Sequence, residues 1–189
     1  MRESLKNKQL RMQRIIETLY ETYPNSKCSL EHRSPFQLLI STMLSAQCTD
    51  DRVNMVTPKL FKHYPTAESM ASAPLEHLAE LVRSTGFFNN KSRNMSACAQ
   101  TLMQDHAGEV PADLDALVKL PGVGRKTANV VLGTGFHIPG VVVDTHVIRI
   151  ANLLRMTGQK DAVKIEMELQ EIIEKDHWVM FTHLIIDHG

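Results

Sequence analysis

The sequence predicts an all-α protein, and three observations carry that prediction. Apolar residues recur at helical spacing along almost the whole chain, capping residues stand at the boundaries of those stretches, and no convincing run of alternation argues for a strand. One stripe comprises Met12, Ile15, Ile16, Leu19 and Tyr23, and another Leu75, Leu78, Leu81 and Val82. Each covers a single helical face.

After the first helix, Ser34-Pro35-Phe36-Gln37 combines a capping serine, proline at the first helical position and glutamine at the third, so a helix should run from there to about Ser45. The apolar pattern from Val53 to Phe61 is helical too, but Pro58 lies inside it and is expected to kink or split the helix. Asn90 is positioned to cap a helix reaching about Asp105, with Met95, Cys98, Leu102 and Met103 facing inward and Gly108 just past its end. Segments 113–119, 126–135, 145–156, 162–175 and 178–187 complete a set of roughly ten short helices with short connections. Phe136-His137-Ile138-Pro139-Gly140-Val141-Val142-Val143 is different: β-branched and broken by Pro-Gly, it reads as an extended linker that delivers Asp144 to a particular place.

The 189 residues are 43% hydrophobic, enough for a substantial core in one domain or two small ones. Lys and Arg number 21 against 21 Asp and Glu, so a nucleic-acid partner would have to meet a local basic face rather than an overall positive charge. Cys28, Cys48 and Cys98 are far apart, which points to a reducing compartment, small core side chains and no metal site. His177, His183 and His188 lack the i, i+4 spacing of a helical metal pair. No stretch is apolar and long enough for a signal peptide or a membrane span, and the expectation is a cytoplasmic monomer.

The most informative stretch is Leu120-Pro121-Gly122-Val123-Gly124-Arg125-Lys126-Thr127. Its two glycines permit positive φ and close approach of a phosphate to the backbone. Val123 can then pack inward between two helices while the amides of Gly122, Gly124 and Arg125 face a phosphate at a helix N-terminus. A plain tight turn between helices is the alternative, and a hairpin alone implies only backbone binding.

Lys126 falls in the first turn of the second helix, where the helix dipole and Arg125 both disfavour an ammonium. An amine able to attack is what Schiff-base chemistry at a sugar C1′ requires, although a lysine here could equally contact a phosphate. Asp144, in Val143-Asp144-Thr145-His146, follows an extended run as a helix N-cap; the same carboxylate could accept a proton and stabilise charge on a sugar.

Together these residues resemble the helix-hairpin-helix DNA glycosylase superfamily. The similarity extends to Leu44-Ser45-Ala46-Gln47-Cys48-Thr49-Asp50, Gly86-Phe87-Phe88-Asn89-Asn90-Lys91 and His183-Leu184-Ile185-Ile186-Asp187-His188-Gly189, and so covers nearly the whole chain. It implies two helical lobes with a DNA-binding cleft between them: a six-helix lobe over 28–138 that contains the hairpin, and a discontinuous lobe of 1–27 plus 139–189. A lysine at the position of Lys126 implies the bifunctional branch, in which it attacks C1′ of a flipped nucleotide, releases an oxidised pyrimidine such as thymine glycol and cleaves the strand by β-elimination. Asp144 then assists departure of the base. The partner implied is double-stranded DNA with damaged pyrimidines or abasic sites.

The same resemblance implies that Gln47 fills the space vacated by the flipped nucleotide and that Phe87 wedges in from a second loop. Taken alone, Gln47 is a polar residue after an apolar helix and Phe87 a core aromatic. His146 could touch DNA or be an ordinary first-turn histidine with its hydrogen bonds satisfied. Most members of the superfamily branch carry a 4Fe–4S cluster on four cysteines that follow the equivalent of Gly189, so no cofactor is expected within residues 1–189 and a cluster only if the natural chain continues. Two other readings stay open: a glycosylase of the same fold for another damaged or mismatched base, and a noncatalytic hairpin module that grips duplex backbones.

Overall fold

The computed structural model describes residues 3–189, and no strand occurs among them. In chain order the α-helices are α1 (Leu5–Thr22), α2 (Pro35–Leu44), α3 (Asp50–His63), α4 (Ala67–Ala71), α5 (Leu75–Leu81), α6 (Phe88–Asp105), α7 (Leu114–Leu117), α8 (Arg125–Val130), α9 (Thr145–Leu153), α10 (Ala162–Ile172) and α11 (Trp178–His188). Short 3₁₀ turns cover Arg83–Thr85 and Lys175–His177, and α8 runs on into a π-helical turn, Val131–Gly135. The chain divides into two compact units, Ser29–His137 and the discontinuous pair Met1–Cys28 with Ile138–Gly189.

In the Ser29–His137 unit, α2 is the central element. Phe36 and every residue from Leu38 to Leu44 are buried, so this helix is enclosed on all sides rather than amphipathic. Its start matches the sequence reading: the Ser34 hydroxyl accepts from the Gln37 amide at 3.2 Å. The Gln37 side chain reaches one residue further back than a capping box requires and accepts from the Arg33 amide at 3.0 Å.

Helix α3 departs from expectation, because it continues through Pro58 as one element. Val53 and Leu60 are fully buried and Val56 and Thr57 nearly so, and that packed face compensates for the one backbone bond that proline removes. Helix α4 is not marked by the usual capping signature, because its capping box uses Ser69 rather than an acidic or amide side chain opposite Thr66.

Helix α6 begins at Phe88, ahead of the expected Asn90 cap. Gly86 (φ 71°) and Phe87 (φ 47°) both take positive φ and reverse the chain, and the amides of Asn90 and Lys91 already donate to the Phe87 carbonyl at 3.0 Å. Met95, Cys98 and Leu102 are buried as expected, whereas Met103 is 38% exposed. It lies one residue beyond Leu102, which rotates it off the buried face. The end of α6 is a left-handed stop: Ala107 and Gly108 have φ of 52° and 83°, and the Gly108 amide donates to the Leu102 carbonyl at 2.9 Å. Leu75, at the start of α5, is 42% exposed, while Leu78 and Val82 of the same stripe are buried. Of the three cysteines only Cys98 is a core residue; Cys28 and Cys48 are half-buried.

The discontinuous unit has its own core, in which Met12 and Ile16 of α1 pack with Val147 and Ile150 of α9, Ile165 and Leu169 of α10, and Phe181 and Leu184 of α11. Arg11 secures α1 to the end of α9 by donating to the carbonyls of Leu154 (2.8 Å) and Arg155 (3.2 Å). Residues 137–144 carry no regular structure, as the sequence predicts, yet Val141, Val142 and Val143 are buried. The Thr182 hydroxyl donates to the Val142 carbonyl at 2.8 Å and ties this extended segment to α11.

The turn between α7 and α8 has no room for a side chain at one position. Gly122 has φ +76°, and a Cβ there would lie 2.8 Å from the Asn94 Cβ and 2.9 Å from the Met43 Cε. Gly122→Ala should therefore destabilise the protein by about 1–3 kcal/mol in urea unfolding, through both strain and overlap; an unchanged midpoint would mean that the turn is not so confined. Cys98 is fully buried, and burial pushes its thiol up to about 12. In native protein at pH 8, iodoacetamide should modify Cys28 and Cys48 before Cys98, whose labelling should wait for unfolding.

Candidate active site

The hairpin is built from the local sequence outward. Asp113 caps α7 by accepting from the Ala116 amide at 2.8 Å, and two successive turn bonds follow, from the Leu120 amide to the Leu117 carbonyl and from the Val123 amide to the Leu120 carbonyl, each 3.1 Å. Leu120 and Val123 are 3% and 6% exposed, so both turn inward as the sequence reading requires of Val123. Gly122, Gly124, Arg125 and Lys126 are all exposed. Gly124 is extended (φ −92°, ψ 171°) and is the N-cap of α8, which leaves Lys126 in the first turn of that helix on the solvent side. The first amides of any helix lack a carbonyl one turn earlier, so an exposed glycine turn leading into a helix start presents donors to an anion.

Asp144 belongs to the discontinuous unit, whereas Lys126 belongs to the other. Its carboxylate caps α9: Oδ1 accepts from the Val147 amide at 2.8 Å and the main-chain carbonyl accepts from the Ile148 amide at 2.9 Å. The second oxygen, Oδ2, stands 3.5 Å from Nδ1 of His146. The Asp144 side chain is 9% exposed and that of His146 44%, so the histidine ring is the more accessible of the two. The buried valines before Asp144 and the Thr182 bond to Val142 hold this carboxylate in place from the chain side.

Gln47 and Phe87 share two properties that the sequence does not display. Both are exposed, Phe87 at 65%, and both adopt the left-handed backbone, with φ of 52° and 47°. Gln47 lies in the connection from α2 to α3, and Phe87 is the N-cap residue of α6 without a side-chain cap bond. Sequence reasoning missed Lys91, which stands between these loops. Its side chain is buried, and its ammonium donates to the Leu44 carbonyl at 2.8 Å and the Thr85 carbonyl at 2.7 Å. The available signal was a lysine on the inward face of α6, one turn after the Gly-Phe reversal.

Among the described residues no three His, Cys, Asp or Glu side chains gather where they could hold a metal ion. Ring nitrogens of His177 and His188 lie 3.3 and 3.1 Å from the hydroxyls of Tyr20 and Tyr23. Cys28, Cys48 and Cys98 form no disulfide, Cys98 is enclosed in α6, and three cysteines do not fit a four-cysteine iron–sulfur cluster. No helix among the described residues is long and apolar enough to cross a membrane.

Comparison with known proteins gives a consistent result. The family described as HhH-GPD superfamily base excision DNA repair protein matches residues 40–175. Endonuclease III of Synechocystis sp. is 45% identical over 184 residues, covering 97% of this chain and 84% of the relative. Endonuclease III of Escherichia coli K12 is 39% identical over 183 residues, covering 97% and 86%. Among solved structures, a trapped covalent endonuclease III–DNA intermediate matches with a TM-score of 0.92 at 42% identity, over 96% of this chain and 85% of that one. A thermostable thymine-DNA glycosylase, at TM-score 0.84 and 21% identity, shares the fold. The exposed glycine hairpin with its first-turn lysine thus sits in a chain that belongs to the HhH-GPD superfamily of base excision DNA repair proteins and, within it, to the endonuclease III family.

Proposed function

We propose that this protein is a bifunctional DNA N-glycosylase and abasic-site lyase that releases oxidised pyrimidines of the thymine glycol type from double-stranded DNA in the cytoplasm. The observation that carries the reading is the exposed amine of Lys126 in the first turn of α8, directly after a turn suited to a phosphodiester. A relative 42% identical to this chain forms a trapped covalent intermediate with DNA, and an amine nucleophile is one that can supply such a bond.

In this proposal the Lys126 nitrogen attacks C1′ of an extruded nucleotide, the glycosidic bond breaks with its electron pair leaving on the base, and the base takes up the proton that the amine nitrogen gives up; the sugar C1′–O4′ bond then opens, O4′ taking a proton from solvent, and a protonated imine forms at C1′. Loss of a C2′ proton then expels the 3′ phosphate by β-elimination. Asp144 assists departure of the base and stabilises positive charge developing on the sugar. Gly122, Gly124 and Arg125 hold the backbone, Val123 anchors the turn, and His146 lies beside the Asp144 carboxylate where it can meet a phosphate. Gln47 and Phe87 enter the duplex where the nucleotide has left, replacing lost stacking. A 4Fe–4S cluster enters the proposal only through cysteines beyond Gly189, since the three present do not gather. We propose a monomer.

The test is a duplex with a single thymine glycol, scored separately for base release and strand cleavage. The wild-type protein should do both. Lys126→Gln should lose strand cleavage by roughly a thousandfold or more while still binding the duplex; a noncatalytic hairpin module would have no cleavage to lose. Asp144→Asn should slow base release by about a hundredfold or more with little change in stability, because asparagine caps a helix as well as aspartate does. Asp144→Ala should in addition cost about 1 kcal/mol in unfolding experiments, through loss of the α9 cap. Normal base release by Asp144→Asn would remove its catalytic role and leave only the cap.

A further inference from the structure

One buried cation joins the two loops that carry Gln47 and Phe87. The Leu44 carbonyl that accepts from Lys91 belongs to the last residue of α2, three positions before Gln47. The Thr85 carbonyl is the last of the 3₁₀ turn and precedes Phe87 by two. A cation at the C-terminal end of α2 also complements the negative end of that helix. Burying a lysine head group is unfavourable unless its donors are used, and here two are used on carbonyls from segments far apart in sequence.

The consequence is geometric. Gln47 and Phe87 both hold a left-handed backbone that residues other than glycine seldom adopt, and such conformations persist only where the surroundings impose them. A contact shared by the segments leading into both loops is the Lys91 ammonium. Its burial lowers its pKa, and the charge of the neighbouring Cys48, next to Gln47, opposes that shift.

We propose that Lys91 is a positioning residue for lesion recognition: by binding the Leu44 and Thr85 carbonyls at once, it fixes the separation and aim of Gln47 and Phe87, so that both can occupy the stack as one nucleotide leaves it. Lys91 touches no DNA in this account and acts only through the two loops. The inference rests on the proposed insertion of Gln47 and Phe87, and it adds a reason why two separate loops arrive as a pair.

The test compares one abasic site presented in duplex and in single-stranded DNA, using the full chain. Single strands require no vacancy to be filled, so their cleavage reports Lys126 chemistry alone. Lys91→Met, which keeps the stem and removes the donors, should slow duplex cleavage by about tenfold or more and leave single-strand cleavage within about twofold. Duplexes with 2-aminopurine opposite the site should show a correspondingly smaller fluorescence rise on binding. Added to a Gln47→Ala/Phe87→Ala background, Lys91→Met should cause little further loss, because residues acting as one unit are not additive. Lys91→Gln, which retains amide donors, should fall between wild type and Lys91→Met and serves as the second variant should the methionine form fold poorly.

Equal losses on both DNA forms would make Lys91 a purely structural residue and overturn the proposal, as would full additivity or an unchanged duplex rate. If Gln47→Ala/Phe87→Ala alone leaves the duplex rate intact, insertion and clamp fall together. Continued single-strand cleavage would show that the lyase reading survives.

Discussion

A turn with no space for one side chain determines where Lys126, the proposed nucleophile, stands. Gly122 lies against Asn94 of α6 and Met43 of α2, so the chain between α7 and α8 approaches the unit's interior too closely to carry a Cβ at that position. Leu120 and Val123 are buried on the same side, which leaves the exposed face to Gly124, Arg125 and Lys126. The position of Lys126 is thus inherited from packing of the unit's core rather than from contacts of its own side chain. A nucleophile that stays exposed and uncommitted can reach a substrate, while the backbone beneath it stays fixed.

The same economy recurs at the other candidate positions. Asp144 owes its place to three buried valines, the Thr182 bond and its own cap of α9, so one carboxylate terminates a helix and keeps its second oxygen beside His146. Gln47 and Phe87 project from strained backbone whose supports lie beneath them, in the enclosed helix α2 and the buried head group of Lys91. Gln47 and Phe87 are thus exposed side chains on a packed interior, which is how binding groups are ordinarily presented from loops, whereas the Asp144 side chain is itself largely covered.

Much of this was legible in the sequence where the determinant is local. Ser34 and Asp144 act as caps, Val123 turns inward and residues 138–143 of the expected linker carry no helix, because each follows from a residue's own chemistry and its immediate neighbours, although Phe136 still ends the preceding helix and His137 takes a positive φ. What depended on tertiary contacts was not. The start of α6 is set by positive φ at Phe87, a residue with no intrinsic preference for it, and not by the cap available at Asn90. Pro58 fails to break α3 because burial of that helix outweighs one missing bond. The inward register of Lys91 on α6 is visible in the sequence, but its partners are not, because its ammonium meets carbonyls 47 and 6 residues away. The family resemblance named the residues proposed to carry function; the packing explains why they stand where they do.

The central claim is that one particular amine forms the covalent bond to the sugar. It is tested most directly by reducing the complex of this protein with an abasic duplex using borohydride and mapping the modified peptide by mass spectrometry. The account predicts that the DNA remnant is on Lys126. A remnant on Lys119, on the N-terminal amine or on any other lysine would contradict it.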